Sequence, residues 1–460
     1  MAGRLKALGL ISVFLFLMAF LWPLGVHATA DSPSGENVLP IIFVHGGSGS
    51  AAQFESQAMR FASNGYPADY ITGYEYDSSL FGINEPEKWP AIIGALYSGI
   101  DQLVNDMLAK TGKDKVYMLG HSLGTFVMQS YLKSDPARAA KVAKYVNIDG
   151  APADALPGGV PTLAIWAGIR MARDPAPSHE IVGATNVTIP NQTHVQVATS
   201  AESFVEMYKF FMGEEPVTDQ ILPDTDGVVK IGGRTVYFPE NEGTNGFTLQ
   251  VWELDGDTGM RIKGEPEHVC ALGEDGAWGP LEVKRDTHYE FCVLRPGDEP
   301  YHIYFEPFLR DDYLIRLNTS KPGGRADHME ESADHTNIVI MRYKEFWGDQ
   351  GEQNDVLEVD GTNIIIPEGC AQGSPTIAIF AYDVNSDGVT DLSAPEAYYD
   401  SVIFLTGVDL YVPAATPPNR SVSLVLTPRG GGGSKQVVNI PNWASSENRV
   451  IVQFNDYLQQ

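Results

Sequence analysis

The sequence predicts an α/β domain built on a mostly parallel sheet, followed by an all-β, sandwich-like region. Two observations carry this. In the first half, short apolar runs alternate with helical patterns, the signature of parallel strands joined by crossover helices. After Gly213 the pattern changes to short β runs separated by Gly, Pro, Asn and Asp.

The strands of the first half are expected at Val38–Val44, Val116–Leu119, Lys141–Ile148, Val160–Ala167 and Asn186–Ile189. Helices are expected over Gln53–Ser63, Ile100–Lys110 and Ser200–Phe211. In the second of these Ile100, Leu103, Val104, Met107 and Leu108 share one face. In the third, Ser200 is a cap candidate and Glu202 stands in the first turn. Between Asp77 and Tyr97 lie Leu80, Phe81, Trp89 and Ile92, which need a groove or a lipid to cover them. This stretch is read as a lid over an apolar pocket.

Glu214-Glu-Pro216 and Asp224-Thr-Asp-Gly227 read as a linker. Beyond it, Phe247–Trp252, Tyr289–Val293, Ile338–Tyr343, Val402–Leu405 and Val450–Phe454 are strand candidates with regular turns between them. The expected division is a leader over 1–30, an α/β domain over 31–215, and β domains over 224–312 and 313–460, with the break between Arg310 and Gly324. The run Arg429-Gly-Gly-Gly-Gly-Ser434 is a loop, because a strand pattern resumes at Val437.

The chain has 460 residues, with 59 acidic and 31 basic side chains and a formal net charge of −28. That balance argues against nucleic-acid binding, which needs a basic face. The N-terminus has Arg4 and Lys6, an apolar run from Ala7 to Val26, and small residues at Ala28 and Ala30. This is the layout of an export signal, with an uncleaved anchor as the alternative. A secreted protein is expected. Of three cysteines, Cys270 and Cys292 could bridge neighbouring strands; three buried thiols is the other reading.

The chemistry begins at Val116-Tyr-Met-Leu-Gly-His-Ser-Leu-Gly124. An apolar run enters Gly120-His121-Ser122-Leu123-Gly124, which fits G-x-S-x-G, and a helical pattern follows. Such a strand-to-helix turn holds a serine hydroxyl clear of the backbone. A serine is a poor nucleophile until a base takes its proton. His194, after the last strand and before the last helix, is the expected base; His179 is the competitor. A carboxylate must orient that base. Asp149 ends the strand Lys141–Ile148 and is expected to serve, with Asp154 and Asp174 as alternatives. Oxyanion donors are expected from the N–H groups of Leu123 and, in His45-Gly46-Gly47, of Gly47.

The segments Leu39–Gly49, Gly120–Gly124 and Asn186–His194 resemble secreted lipases of the α/β-hydrolase superfamily. The run from Gly49 to Pro67, Ala184-Thr-Asn-Val187, Thr193-His-Val-Gln196 and Ile451–Tyr457 resemble the archaeal two-domain lipases with a C-terminal β lipid-binding region. The resemblance implies an α/β-hydrolase fold, a Ser122–Asp149–His194 triad, an oxyanion hole from Gly47 and Leu123, and a lipid ester or lipid–water interface as partner. It implies no cofactor for catalysis. An esterase or polyester depolymerase with the same triad, or a binding protein on a hydrolase scaffold, are the rivals.

One further signal lies in the β region. Asp383, Asn385, Asp387 and Asp391 stand at positions 1, 3, 5 and 9 of a loop with Gly388 at position 6. Hard oxygen donors in that spacing suit a structural calcium ion. The usual position-12 glutamate is replaced by Ala394.

Overall fold

The computed structural model describes residues 38–82, 85–171 and 179–459. The expected leader over 1–30 and the alternative carboxylate Asp174 lie outside them. Among the described residues no helix is long and apolar enough to cross a membrane.

Strands β1 (Ile41–Val44), β2 (Ile71–Tyr74), β3 (Val116–His121), β4 (Val142–Ile148), β5 (Thr162–Ala167) and β6 (Thr185–Ile189) form one sheet in the order β2-β1-β3-β4-β5-β6. Every pairing in it is parallel. Its strands point alternate side chains to two cores, as the pleat requires. Ile41 and Phe43 pack with Phe61, Phe204 and Phe211 under α1 (Glu55–Ser63) and the helix Ala201–Met212. Ile42 and Val44 pack on the other face with Ile100, Val104, Met128 and Tyr131. These belong to α2 (Trp89–Thr111) and α3 (Leu123–Ser134).

Five of the six strands coincide with the apolar runs; β2 is short, and only Ile71 in it is buried. Helix α2 starts eleven residues earlier than Ile100, at Trp89, with Pro90 in its first turn and Gly112 ending it at φ 68°. Much of the expected lid is therefore the first half of a helix. Phe81 packs edge-on against Tyr76, Trp89 and Phe126, and Ile92 and Ile93 lie against the core. Those contacts account for Phe81, Trp89 and Ile92; Leu80 is half-buried, and Phe126 remains exposed.

The β region has one eight-stranded sheet at its centre. The C-terminal strand Arg449–Gln453 lies inside it, parallel to both Tyr301–Phe305 and Ile338–Met341. The two expected β domains thus share a sheet. A smaller sheet containing β7 (Val228–Tyr237) packs on one face, through Ile231, Ile303 and Ile451. Another, with strands Val356–Val359, Ser421–Thr427 and Gln436–Pro441, packs on the other, through Ile340, Val450 and Val452. Strand Asp312–Thr319 pairs parallel with β7 and runs through the expected break at 310–324.

All three cysteines are free thiols. Cys270 and Cys292 sit on opposite sides of the intervening strand Thr248–Glu253, in register with Leu249 and Gln250. They are two strand spacings apart, about 10 Å, and point to opposite faces, which rules out a bridge.

Candidate active site

The turn after β3 is set by close packing of backbone. A Cβ on Gly120 would lie 2.8 Å from Gly124 O, and one on Gly124 would lie 2.3 Å from Val44 O. Only glycine fits either place. Between them Ser122 is forced to φ 54°, ψ −124°, a conformation costing roughly 1–3 kcal/mol for a residue with a side chain. One strand over, Asp149 ends β4 at φ 39°. Both strained residues sit at the carboxyl edge of the sheet, where this architecture binds ligands.

The loop after β6 brings His194 to the same edge. Its Nδ1 lies 2.7 Å from Asp149 Oδ2. A carboxylate can only accept, so Nδ1 carries the hydrogen. The other ring nitrogen, Nε2, is buried without a hydrogen-bond partner. Asp149 Oδ1 accepts from Ala167 N–H at 2.9 Å. Burial works against the Asp149 charge, but the His194 and Ala167 hydrogen bonds outweigh it and hold its pKa below the usual carboxylate value.

Ser122 and His194 line one cleft of about 1010 Å³, counting its mouth. Gly46, Gly47 and Gly49 line it too. A Cβ on Gly47 would meet nothing within 4 Å, so the loop is open beside it. Leu123 opens α3, where an N–H has no intrahelical acceptor. The far wall is the β region: Tyr301, Val339, Met341, Phe380, Leu405 and Ile451. In-register pairing puts Val339, Phe380 and Ile451 on a single face of the eight-stranded sheet. None of the described lining residues comes from Asp77–Tyr97, so the β region, not the expected lid, covers the site.

His179 is stacked on Trp166 with ring centres 4.9 Å apart, and Asp154 is exposed; neither lines the cleft.

Sequence reasoning missed the residues that hold this site. His121 is buried, and its Nε2 donates to His194 O at 2.8 Å. Its Nδ1 is then an acceptor for the Gln53 amide at 3.0 Å. Burial and the neighbouring His194 push the His121 pKa down to about 3, so it stays a neutral strut. Asn241 donates from its Nδ2 to Gly49 O at 2.8 Å and bolts the glycine loop to the β region. Glu345 accepts from Thr193, Val195 and Gln196. Only the G-x-S-x-G position of His121 gave any signal.

Among the described residues, the carboxylates of the expected calcium loop do not bring three donor atoms within 4.8 Å of one another, although Asp383, Asp387 and Asp391 all lie close enough to Asp409 to act on its charge. Asp383 accepts from Gly388 N–H at 3.1 Å and faces His335. Asp387 and Asp391 each cap an N–H two residues on. Among the described residues, the group of His, Cys, Asp or Glu whose donor atoms all lie within 4.8 Å of one another is Glu290, Cys292 and His302. That group is already satisfied: Arg261 holds both Glu290 oxygens, and His302 bonds Glu290 and Asn448. A cation there would meet the guanidinium.

Fold and site geometry together define an α/β hydrolase. Residues 40–194 match the alpha/beta hydrolase fold family. Residues 227–322 match the lipase C-terminal domain, and 324–458 match a second C-terminal-domain family. The chain is a lipase-like α/β hydrolase with a C-terminal β region. No curated protein matches it. Among solved structures it is similar to the lin2722 gene product of Listeria innocua, at 14% identity and TM-score 0.27, over 40% of this chain and 96% of that one. A predicted CIB-like hydrolase from Thermoplasma acidophilum matches at 16% identity and TM-score 0.28, over 39% and 89%. Lipase B of Aspergillus fumigatus matches at 14% identity and TM-score 0.29, over 40% and 55%.

Proposed function

We propose that the protein is an exported lipase that cleaves carboxylic esters of lipids through a Ser122–His194–Asp149 triad. The supporting observation is one apolar cleft lined by both Ser122 and His194, with the imidazole tethered through Nδ1 to Asp149.

With Nδ1 protonated, Nε2 is the basic atom of His194. It takes the Ser122 proton as Oγ attacks the ester carbonyl. The Gly47 and Leu123 N–H groups receive the oxyanion. His194 returns the proton to the leaving alcohol, and Asp149 stabilises the transient imidazolium. Water then repeats the cycle on the acyl-enzyme and frees the fatty acid. No cofactor enters these steps. The apolar sheet face opposite the serine, with Val339, Met341, Phe380 and Ile451, suits an acyl chain better than a short polar ester.

Labelling with a fluorescent alkyl phosphonate, followed by peptide mapping, tests the reading. Modification of Ser122 is expected, and Ser122→Ala should be unlabelled and inactive on triacylglycerols. Turnover that survives this change sinks the mechanism. Export is tested separately, by N-terminal sequencing of protein recovered from the medium.

A further inference from the structure

The cleft carries a charge that ester hydrolysis does not require. Two guanidinium groups, Arg316 and Arg325, line it, and no Asp or Glu is among its described lining residues. This occurs in a chain with 59 acidic and 31 basic side chains. A cleft free of carboxylates in so acidic a protein is a local reversal of sign.

Arg316 is the more telling of the two. It stands on the strand Asp312–Thr319 and is 4% exposed. Its Nε and Nη2 are buried and have no hydrogen-bond partner. The carboxylate that acts on it, Glu75, accepts from Ala51 N–H at 2.9 Å through Oε1; its Oε2, 3.5 Å from His45 Nε2, is buried and makes no hydrogen bond, to Arg316 or to any other group. The charge of Arg234 works against it. The guanidinium lies 5.6 Å from the ring centre of Phe238, another lining residue. A ring face offsets only part of the cost of a buried cation. The planar fork of donors is built to grip a carboxylate or phosphate with two parallel hydrogen bonds.

We propose that Arg316 forms an anion-holding subsite of this cleft, which selects esters carrying a second, anionic oxygen group: a carboxylate or a phosphate. Arg325 adds positive charge to the same cleft. The inference rests on the ester-hydrolase reading and narrows its substrate class.

Two arms test it. In the first, Ser122→Ala protein is titrated calorimetrically with octanoate, octyl phosphate and methyl octanoate. At least one anion should bind more tightly than the neutral ester, roughly tenfold to a hundredfold, the worth of a charged hydrogen bond. Adding Arg316→Leu should erase the preference. Arg316→Lys, which keeps the charge without the fork, should retain part of it, and it carries the test if the leucine variant does not fold. In the second arm, kcat/KM is compared for the 4-nitrophenyl half-ester of suberic acid against 4-nitrophenyl octanoate, and for dioctanoyl phosphatidic acid against dioctanoylglycerol. These pairs separate a carboxylate source from a phosphate source. The anionic-to-neutral ratio should collapse in Arg316→Leu. An equal fall on neutral and anionic esters overturns the proposal, as does the absence of any anion preference in the first arm. If no ester is turned over but Arg316-dependent anion binding persists, the hydrolase reading fails and the subsite stands.

Discussion

Glu345 accepts a hydrogen bond from the backbone N–H of Val195 at 2.6 Å, across 150 residues of chain. The same carboxylate takes the Thr193 hydroxyl at 2.6 Å and Gln196 N–H at 3.0 Å, so it brackets His194 on both sides. Arg342 Nη2 holds the Glu345 carbonyl at 2.7 Å, and Arg342 and Arg429 both clamp Asp355 at 2.6 Å. Arg429 also reaches Gln196 Oε1 at 2.9 Å. The β region therefore supports the histidine loop directly, in addition to covering the cleft.

Glu345→Ala strips that bracket and leaves buried donors unpaired, each costing about 1–3 kcal/mol. The variant should melt at a lower temperature. Glu345→Gln keeps an acceptor and most of the packing, but loosens the loop. Its kcat on a soluble neutral ester should fall by about tenfold to a hundredfold, the scale of a misplacement near 1 Å, with KM little changed. A rise in KM alone, at constant kcat, would show that Glu345 serves substrate binding instead.

Asp149→Asn should preserve the fold while removing the anion that fixes the His194 tautomer. A loss of about 10⁴ in kcat is the precedent for this change in a serine triad. Steady-state kinetics with a melting curve checks it. An activity drop below tenfold would mean that another carboxylate orients the imidazole.

Acid should weaken the fold through His121. Its pKa lies at about 3 in the folded protein, against 6.5 when unperturbed. Above pH 6.5 neither state binds the proton. Below it the unfolded chain does and the folded chain does not, so stability falls as the pH drops from 6.5 towards 3. The limiting slope is about 1.4 kcal/mol per pH unit. His45, also buried with a lowered pKa, acts in the same direction. Because buried acids with raised pKa values, Glu306 and Asp312 among them, act in the opposite direction, the test is a difference: between pH 7 and 4 the denaturant midpoint of the parent should fall relative to that of His121→Gln. Parallel slopes for the two proteins would contradict this account.

Reducing agent should leave the melting temperature unchanged, because all three cysteines are free thiols. In the native protein a thiol reagent should reach the half-buried Cys270 first. Cys292 and Cys370, at 2% and 0% exposure, should react only on unfolding. A reductant-sensitive melt would require strands now separated by Thr248–Glu253 to be adjacent.

What could be read without coordinates is what local sterics and periodicity encode. The β3 run, two glycines with no room for a Cβ, and the helix pattern after them specify the serine turn within nine residues. Strand order in chain sequence then brings Asp149 and His194 to the same sheet edge, because parallel strands all end there. Four of the five β runs expected after Gly213 were equally legible one by one; the fifth, Val402–Leu405, was not, because residues 402–404 form a turn and the strand runs from Leu405 to Asp409. The partners of these strands were not legible: strand Arg449–Gln453 pairs with Tyr301–Phe305 and Ile338–Met341, far away in the chain. The lid reading failed for a related reason, since exposed-looking apolar residues at Phe81 and Ile92 are satisfied by neighbours no spacing reveals. Glu345 beneath the histidine, Asn241 on the glycine loop and Arg316 in the cleft carry no local signature. Each is ordinary in its own strand or turn, and acquires its role only when tertiary packing removes water and sets it against a distant group.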